Sequence, residues 1–332
     1  MMRNTCSQQT SHGQTCIYNG LIVSTIIIYL LNNPIGSCRM PEQNTMVGKS
    51  VVVTGATAGL GLYSLEAIVG AGAFGIGIGR DASRCAAAAE QIKTANPDGQ
   101  VTYLVADLSH QSEIYRVAAE IQSVLAQNGL AGLDVLVNNA GTYSARRIYT
   151  EDGVELMLAV NHIAPFLLTR LLLPLLKSPP AGRVITVSSG SHYNTDLRLP
   201  RINNPRIYFG LDRYKVTKMA NVLFTYELNR HLAGTRVRAF AADPGLINTD
   251  MGAKNTGKAG QLVWKYRRRG GRPPQVPAQN ILFLSSEPSL QGRPEMYWRD
   301  CIPKSPDPQA EREDLAAALW KRSLELCGLA DK

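Results

Sequence analysis

The sequence predicts an α/β fold, a doubly wound parallel sheet with helices on both faces. Three observations carry that prediction. Short β-branched runs alternate with longer runs of helical period from residue 51 to residue 241. A glycine-rich turn joins the first strand to the first helix. Asp107, Asn138 and Gly141 follow predicted strands at their carboxyl ends, where such sheets open their ligand crevice. The composition agrees: 332 residues, 45% hydrophobic and 18% charged, suit an ordinary globular chain with a sizeable core.

Residues 51–54, Val-Val-Val-Thr, read as a buried parallel strand. Gly55-Ala56-Thr57-Ala58-Gly59-Leu60-Gly61 follows at once, then a helix to about residue 69. The glycines let the backbone turn sharply and approach a pyrophosphate, at which the helix aims its N-terminus. The spacing is G-x-x-x-G-x-G, and strand and helix on either side supply the context of a Rossmann-type dinucleotide site. Residues 73–78 form the second strand, light because of Gly75 and Gly77, and end at Gly79-Arg80-Asp81. An acid at this place holds the ribose 2′-hydroxyl of NAD, and an arginine accommodates the 2′-phosphate of NADP. Arg80 comes first, with Arg84 a turn on, so NADP(H) is favoured; Asp81 leaves NAD(H) open, as does a reading of Arg80 as a plain surface charge.

Residues 82–94 are Ala-rich and helical, 96–99 a turn, and 101–105 the third strand, with Asp107-Leu108 at its end. Residues 111–127 are an amphipathic helix, and 133–137 the fourth strand, ending in Asn138-Asn139-Ala140-Gly141. Residues 151–176 are mostly helical, with a break expected near Pro165, and carry Asn161. The fifth strand, 183–187, delivers Ser188-Ser189; a loop fills 190–212; a helix runs to residue 232. The sixth strand, 237–241, leads to Asp243-Pro244-Gly245 and Thr249. Residues 250–275 are irregular and basic, read as a substrate lid. Helices over 277–284 and 310–326 close the chain around a Pro-rich turn at 303–308.

The head of the long helix, Arg213-Tyr214-Lys215-Val216-Thr217-Lys218, sets Tyr214 and Lys218 four apart on one face. An ammonium beside a phenol lowers its pKa and fits it to exchange a proton with a carbonyl or an alcohol. Taken alone, the spacing reads as a solvated Tyr/Lys pair. His162 and His192 adjoin candidate site residues, yet lack metal-ligand partners at useful spacing, so packing or surface roles are expected and no metal.

Residues 1–45 differ from the rest, and the domain proper is read as 46–332. The apolar stretch 17–31 falls short of the ~20 residues of a bilayer-spanning helix. It reads as a disordered tail or an upstream extension, with a marginal membrane anchor as the alternative. The net charge of +9 gathers in part at Lys265-Tyr266-Arg267-Arg268-Arg269. That run reads as a solvated loop, and no nucleic-acid partner is expected. Six cysteines without a C-x-x-C spacing suggest neither a zinc site nor a disulfide framework, so a reducing, cytoplasmic setting is the default.

Taken together, the Gly55–Gly61 turn, Asp107, Asn138-Asn139-Ala140-Gly141, Asn161, Ser189, Tyr214-x-x-x-Lys218 and Pro244-Gly245 resemble the short-chain dehydrogenase/reductase family, in its order and from residue 46 onward. Arg80, the long 190–212 loop and Leu319-Trp320-x-x-Ser323 are most similar to its retinol-dehydrogenase-like branch. The resemblance implies an NADP(H)-dependent oxidoreductase acting on a hydrophobic carbonyl or alcohol. Tyr214 would be the general acid/base, Lys218 its tuner and ribose contact, Ser189 the hydrogen-bond partner of the substrate oxygen, and Asn161 the holder of a water reaching Lys218. Family position prefers Ser189 to Ser188. Cofactor contacts are implied for Gly55, Thr57, Gly59, Leu60, Gly61, Arg80, Asp107, Leu108, Asn138, Tyr214, Lys218, Pro244, Gly245 and Thr249. Homo-oligomers, monomers and membrane-anchored members all occur in the family. The rival readings are an NAD-dependent alcohol dehydrogenase and a silent nucleotide-binding scaffold. The 250–275 segment matches no family pattern, which leaves the substrate open.

Overall fold

The computed structural model describes residues 44–248 and 270–330, within the compact unit Met40–Lys332. The expectations for 17–31, for 250–269 and for Thr249 lie outside the described residues. Eight strands form one sheet there: β1 (Ser50–Thr54), β2 (Phe74–Gly79), β3 (Val101–Val105), β4 (Val135–Asn138), β5 (Arg183–Val187), β6 (Arg238–Ala242), β7 (Tyr297–Arg299) and β8 (Ile302–Pro303). Their order is β3-β2-β1-β4-β5-β6-β7-β8. Neighbours pair in parallel through β7, and only β8 returns antiparallel. The sequence did not predict β7 and β8. They span three and two residues and carry no readable period.

Among the described residues seven helices cover the faces: α1 (Gly59–Gly70), α2 (Ala82–Ala95), α3 (Gln111–Gln127), α4 (Leu156–Lys177), α5 (Gly210–His231), α6 (Gln275–Ser286) and α7 (Glu313–Leu326). Strand alternation divides the core. Val51 and Val53 turn to one side, with Leu65 of α1, Ile92 of α2 and Ile281 of α6. Val52 turns to the other, with Ile121 of α3, Phe166 of α4, Leu223 of α5 and Leu319 of α7. Each such side chain contributes roughly 1.5–3 kcal/mol by leaving water.

The break expected near Pro165 is instead a π turn over Ala159–Ile163, from which α4 continues. Pro165 falls in the first turn after it, where a missing N–H costs little. Helix α4 is long and apolar enough to cross a bilayer, but it is a core helix, with 72% of its apolar window buried. The 250–275 expectation also ends early. Ile247 and Arg272 form a parallel bridge, and α6 begins at Gln275.

Chain order reverses between β1 and its neighbours β2 and β4. In such sheets the crevice lies at the carboxyl ends beside that point. Gly55, Asn139, Ser188 and Asp243 all emerge along this edge.

Candidate active site

Helix α5 starts hard against the segment after β4. A Cβ on Gly210 would lie 2.5 Å from the Ser144 carbonyl oxygen and 3.0 Å from the Tyr143 hydroxyl. That contact sets Tyr214 one turn in, its ring edge-on to Tyr143 at 6.2 Å. The Ser189 side chain stands close enough to act on the Tyr214 hydroxyl, though its own Oγ proton goes to Ser191 Oγ at 3.1 Å. Lys218 is buried, with Nζ 5.5 Å from the centre of the Tyr214 ring. Its Nζ donates to the Val187 carbonyl at 3.0 Å, and Ser188 Oγ donates to the Lys218 carbonyl at 2.8 Å. The end of β5 is thereby stapled to α5, and Ser188 and Ser189 divide their work. Ser189 Oγ also accepts from the Ser191 N–H at 3.1 Å, which fixes its place.

Burial, reinforced by the Asp243 charge and opposed by the Ser189 side chain, pushes the Tyr214 phenol up to about 12. Burial pulls Lys218 down to about 8, with Asp243 opposing. The sequence expectation was that Lys218 lowers Tyr214. In the protein alone desolvation wins, and the ammonium stands over the ring face, tied to a carbonyl rather than to the phenol oxygen.

Asn161 lies in the π turn and is fully buried. Its Oδ1 accepts from the Thr142 N–H at 2.7 Å, and its Nδ2 donates to the Thr142 carbonyl and to Thr217 Oγ1, both at 3.1 Å. It clamps the segment after β4 to α5 and makes no direct contact with Lys218 among these bonds.

At the first turn, Gly55 and Gly59 adopt φ of +66° and +55°, which only glycine takes freely. A Cβ on Gly61 would meet both Asn139 Nδ2 and the Gly55 carbonyl at 2.4 Å. Asn139 Nδ2 donates to the Thr54 carbonyl at 2.8 Å. Helix α1 has no side-chain cap and no acid in its first turn, so its leading N–H groups suit an anion. Thr57 packs at the end of β2, where a Cβ on Gly79 would come 2.3 Å from its Cγ2. Leu60 is buried in the core under the turn. Arg80 is exposed and makes no ion pair among the described residues. Asp81 is committed elsewhere, its Oδ1 capping α2 by accepting from the Arg84 N–H at 2.8 Å. Asp107 accepts from the N–H and Oγ of Ser109, which with the nearby His110 and Arg80 charges keeps its carboxyl below the usual range despite burial. Leu108 is buried in the core, and Asn138 donates to Thr169 Oγ1 of α4 at 2.9 Å. Pro244 and Gly245 follow β6; Arg272 donates to the Pro244 carbonyl, and Arg299 crowds Gly245.

A family model described as short chain dehydrogenase matches residues 49–259. The chain belongs to the short-chain dehydrogenase family. It is an NAD(P)-dependent oxidoreductase acting on CH–OH groups, and within the family it falls in the retinol-dehydrogenase-like branch. It is 33% identical over 301 residues to retinol dehydrogenase 14 of Mus musculus, covering 87% of this chain and 88% of that one. It is 33% identical over 304 residues to retinol dehydrogenase 13 of Homo sapiens, covering 89% and 88%. Among solved structures, an uncharacterised protein from Mycobacterium paratuberculosis is 31% identical with a TM-score of 0.67, covering 87% of this chain and 96% of that one. The landomycin C-6 ketoreductase LanV, solved with bound NADP and rabelomycin, is 25% identical with a TM-score of 0.59, covering 78% and 96%.

In this short-chain dehydrogenase several residues join the site without a motif to announce them. His192 is fully buried. Its Nε2 accepts from the Asp307 N–H at 3.0 Å, so the proton is on Nδ1, which donates to the Ser189 carbonyl at 2.8 Å. The expected packing role is therefore specific: it anchors the main chain at Ser189. Asp243 is buried, accepts from the Gly245 N–H at 2.9 Å, and is the charge felt by Tyr214 and Lys218. Asn139, beside the Asn138 singled out by sequence, is the amide that stitches the glycine turn. Cys85 and Cys327 are free and buried.

Proposed function

We propose that this chain uses NADP(H) to interconvert a ketone or aldehyde with its alcohol on a hydrophobic small molecule. The observation that carries the reading is the gathering of Ser189 and Lys218 about one phenol, Ser189 acting on the Tyr214 hydroxyl and Lys218 Nζ 5.5 Å from the ring centre. Two hydroxyls then converge on one substrate oxygen. Tyr214, held protonated, is the general acid in reduction and the base in oxidation. Ser189 steadies the charge that develops on that oxygen. Lys218 titrates close enough to neutrality to pass a proton onward. Both amide protons of Asn161 are spent on Thr142 and Thr217, so its share is to set the spacing of the site rather than to donate to a water.

The residues present fit the cofactor. Gly55, Thr57, Gly59, Leu60 and Gly61 form the turn at the uncapped end of α1, Arg80 stands free for a 2′-phosphate, and Asp81 is occupied. Asp107, Pro244 and Gly245 complete the described set, with Leu108 and Asn138 contributing main chain only; Thr249 is assigned by its place in the sequence. When bound, the nicotinamide supplies or accepts the two-electron reducing equivalent. An apolar substrate suits the exposed Ile207, Phe209 and Leu211, which flank the Gly210 contact beside Tyr143. The names of the retinol dehydrogenase relatives and the NADP complex of the ketoreductase point the same way.

The test is Tyr214→Phe, assayed with NADPH and a panel of apolar ketones and aldehydes. Turnover is expected to fall at least ~10³-fold, while NADPH titration by fluorescence changes less than about threefold. Equal turnover in the two proteins would end the proposal.

A further inference from the structure

We propose that Tyr103 is a positioning residue for the dinucleotide turn, holding the Ala56 carbonyl from two strands away; this rests on the cofactor reading above. Tyr103 lies in β3, which is not a neighbour of β1. Its hydroxyl nevertheless donates to the Ala56 carbonyl, in the turn after β1, at 2.8 Å. To reach it the side chain must cross β2. The residue opposite Tyr103 on β2 is Gly77. A Cβ there would lie 2.4 Å from Tyr103 Cε1 and 2.6 Å from Cζ, so the ring fills the space that any other residue would occupy. One of the two glycines that make the second strand light, Gly77, thus leaves the gap that the phenol crosses.

The bond completes a clamp. The Ala56 N–H already donates to the Ile78 carbonyl of β2 at 3.0 Å. With its carbonyl taken by Tyr103, the first residue after the Gly55 bend is held on both sides. Burial keeps the phenol protonated well above its ordinary range, so it is a donor at every working pH. The turn it holds leads straight into the leading N–H groups of α1. Those groups receive negative charge only if the turn is kept in place before the cofactor arrives.

The test uses the full chain and fluorescence titrations of NADPH and NADH. Tyr103→Phe keeps the ring and removes the hydroxyl. Both cofactors are expected to bind about five- to tenfold more weakly, by the same factor, since the turn serves the part they share. KM for the cofactor should rise in step, with kcat and the carbonyl KM within about twofold. Unchanged binding of both cofactors, or a kcat that falls with them, would overturn the proposal. Gly77→Ala should displace the ring and weaken binding likewise. Gly77→Ala with Tyr103→Val refills the volume without a hydroxyl; it should melt near the wild type yet still bind weakly. Recovery of binding in that double variant would show a packing role alone. A wild-type chain that binds neither cofactor would sink the reading on which this one rests, and this one with it.

Discussion

Arg80 and Asp81 are adjacent, exposed and opposite in charge, yet they stand differently. The carboxylate is spent on the α2 cap, and Arg80 is exposed just past the end of β2, its charge felt by Asp107. Arg80→Ala is therefore expected to weaken NADPH binding by about 10–100-fold, as loss of a charge-assisted phosphate contact does, and to leave NADH within about twofold. Parallel titrations decide it, and an unchanged NADPH/NADH ratio would refute the assignment. At this scale Tyr214, Lys218, Ser189 and the turn glycines were legible because their chemistry requires fixed residue types at fixed spacing. Asn139, His192, Asp243 and Tyr103 were not. Each depends on a partner far along the chain, and no local spacing encodes that. The sign of the Tyr214 shift was misread for a related reason: spacing shows the nearby ammonium but not the burial that outweighs it.

At the scale of elements, the join of β1 to α1 is where backbone and side chain are most closely fitted. A Cβ on Gly61 would strike the Gly55 carbonyl and Asn139 Nδ2 at once, and the carbonyl cannot swing aside. Gly61→Ala is expected to cost about 1–3 kcal/mol of stability and to weaken both cofactors more than tenfold. Thermal melting and titration on one preparation would check this; a variant matching the wild type in both would show that the turn has slack. The strand, turn and helix were readable here because period and glycine spacing agree. The π turn in α4 was not. Pro165 drew attention to the right stretch, but the irregularity precedes the proline and contains Asn161, which it turns toward Thr142 and Thr217. Strands β7 and β8 escaped for want of length.

At the scale of the whole molecule, α7 is fastened to the core by a buried histidine. Ser323 Oγ spends its proton on the Leu319 carbonyl, so His162 Nε2 must be the donor in their 2.9 Å bond. The ring also packs on Phe166 and Phe224. Burial pulls His162 down to about 4 from an ordinary 6.5. The unfolded chain thus binds more protons between those values, and stability falls as pH drops through that window. The full loss is about 3 kcal/mol by pH 4. A fall of several degrees in melting temperature between pH 7 and pH 5 is expected, and His162→Gln should flatten that slope even while lowering the plateau. An identical slope in both proteins would rule this histidine out as its cause. The far edge of the sheet has a different consequence. Beyond β7 the chain doubles back through Asp300 and Cys301, and the outermost strand is two residues that end on a proline. A proline has no amide hydrogen to offer, and so short a border gives a second sheet nothing to zip onto. Copies of this enzyme crowded at high concentration therefore have no template for ribbon-like growth on that flank, despite the seven paired strands behind it.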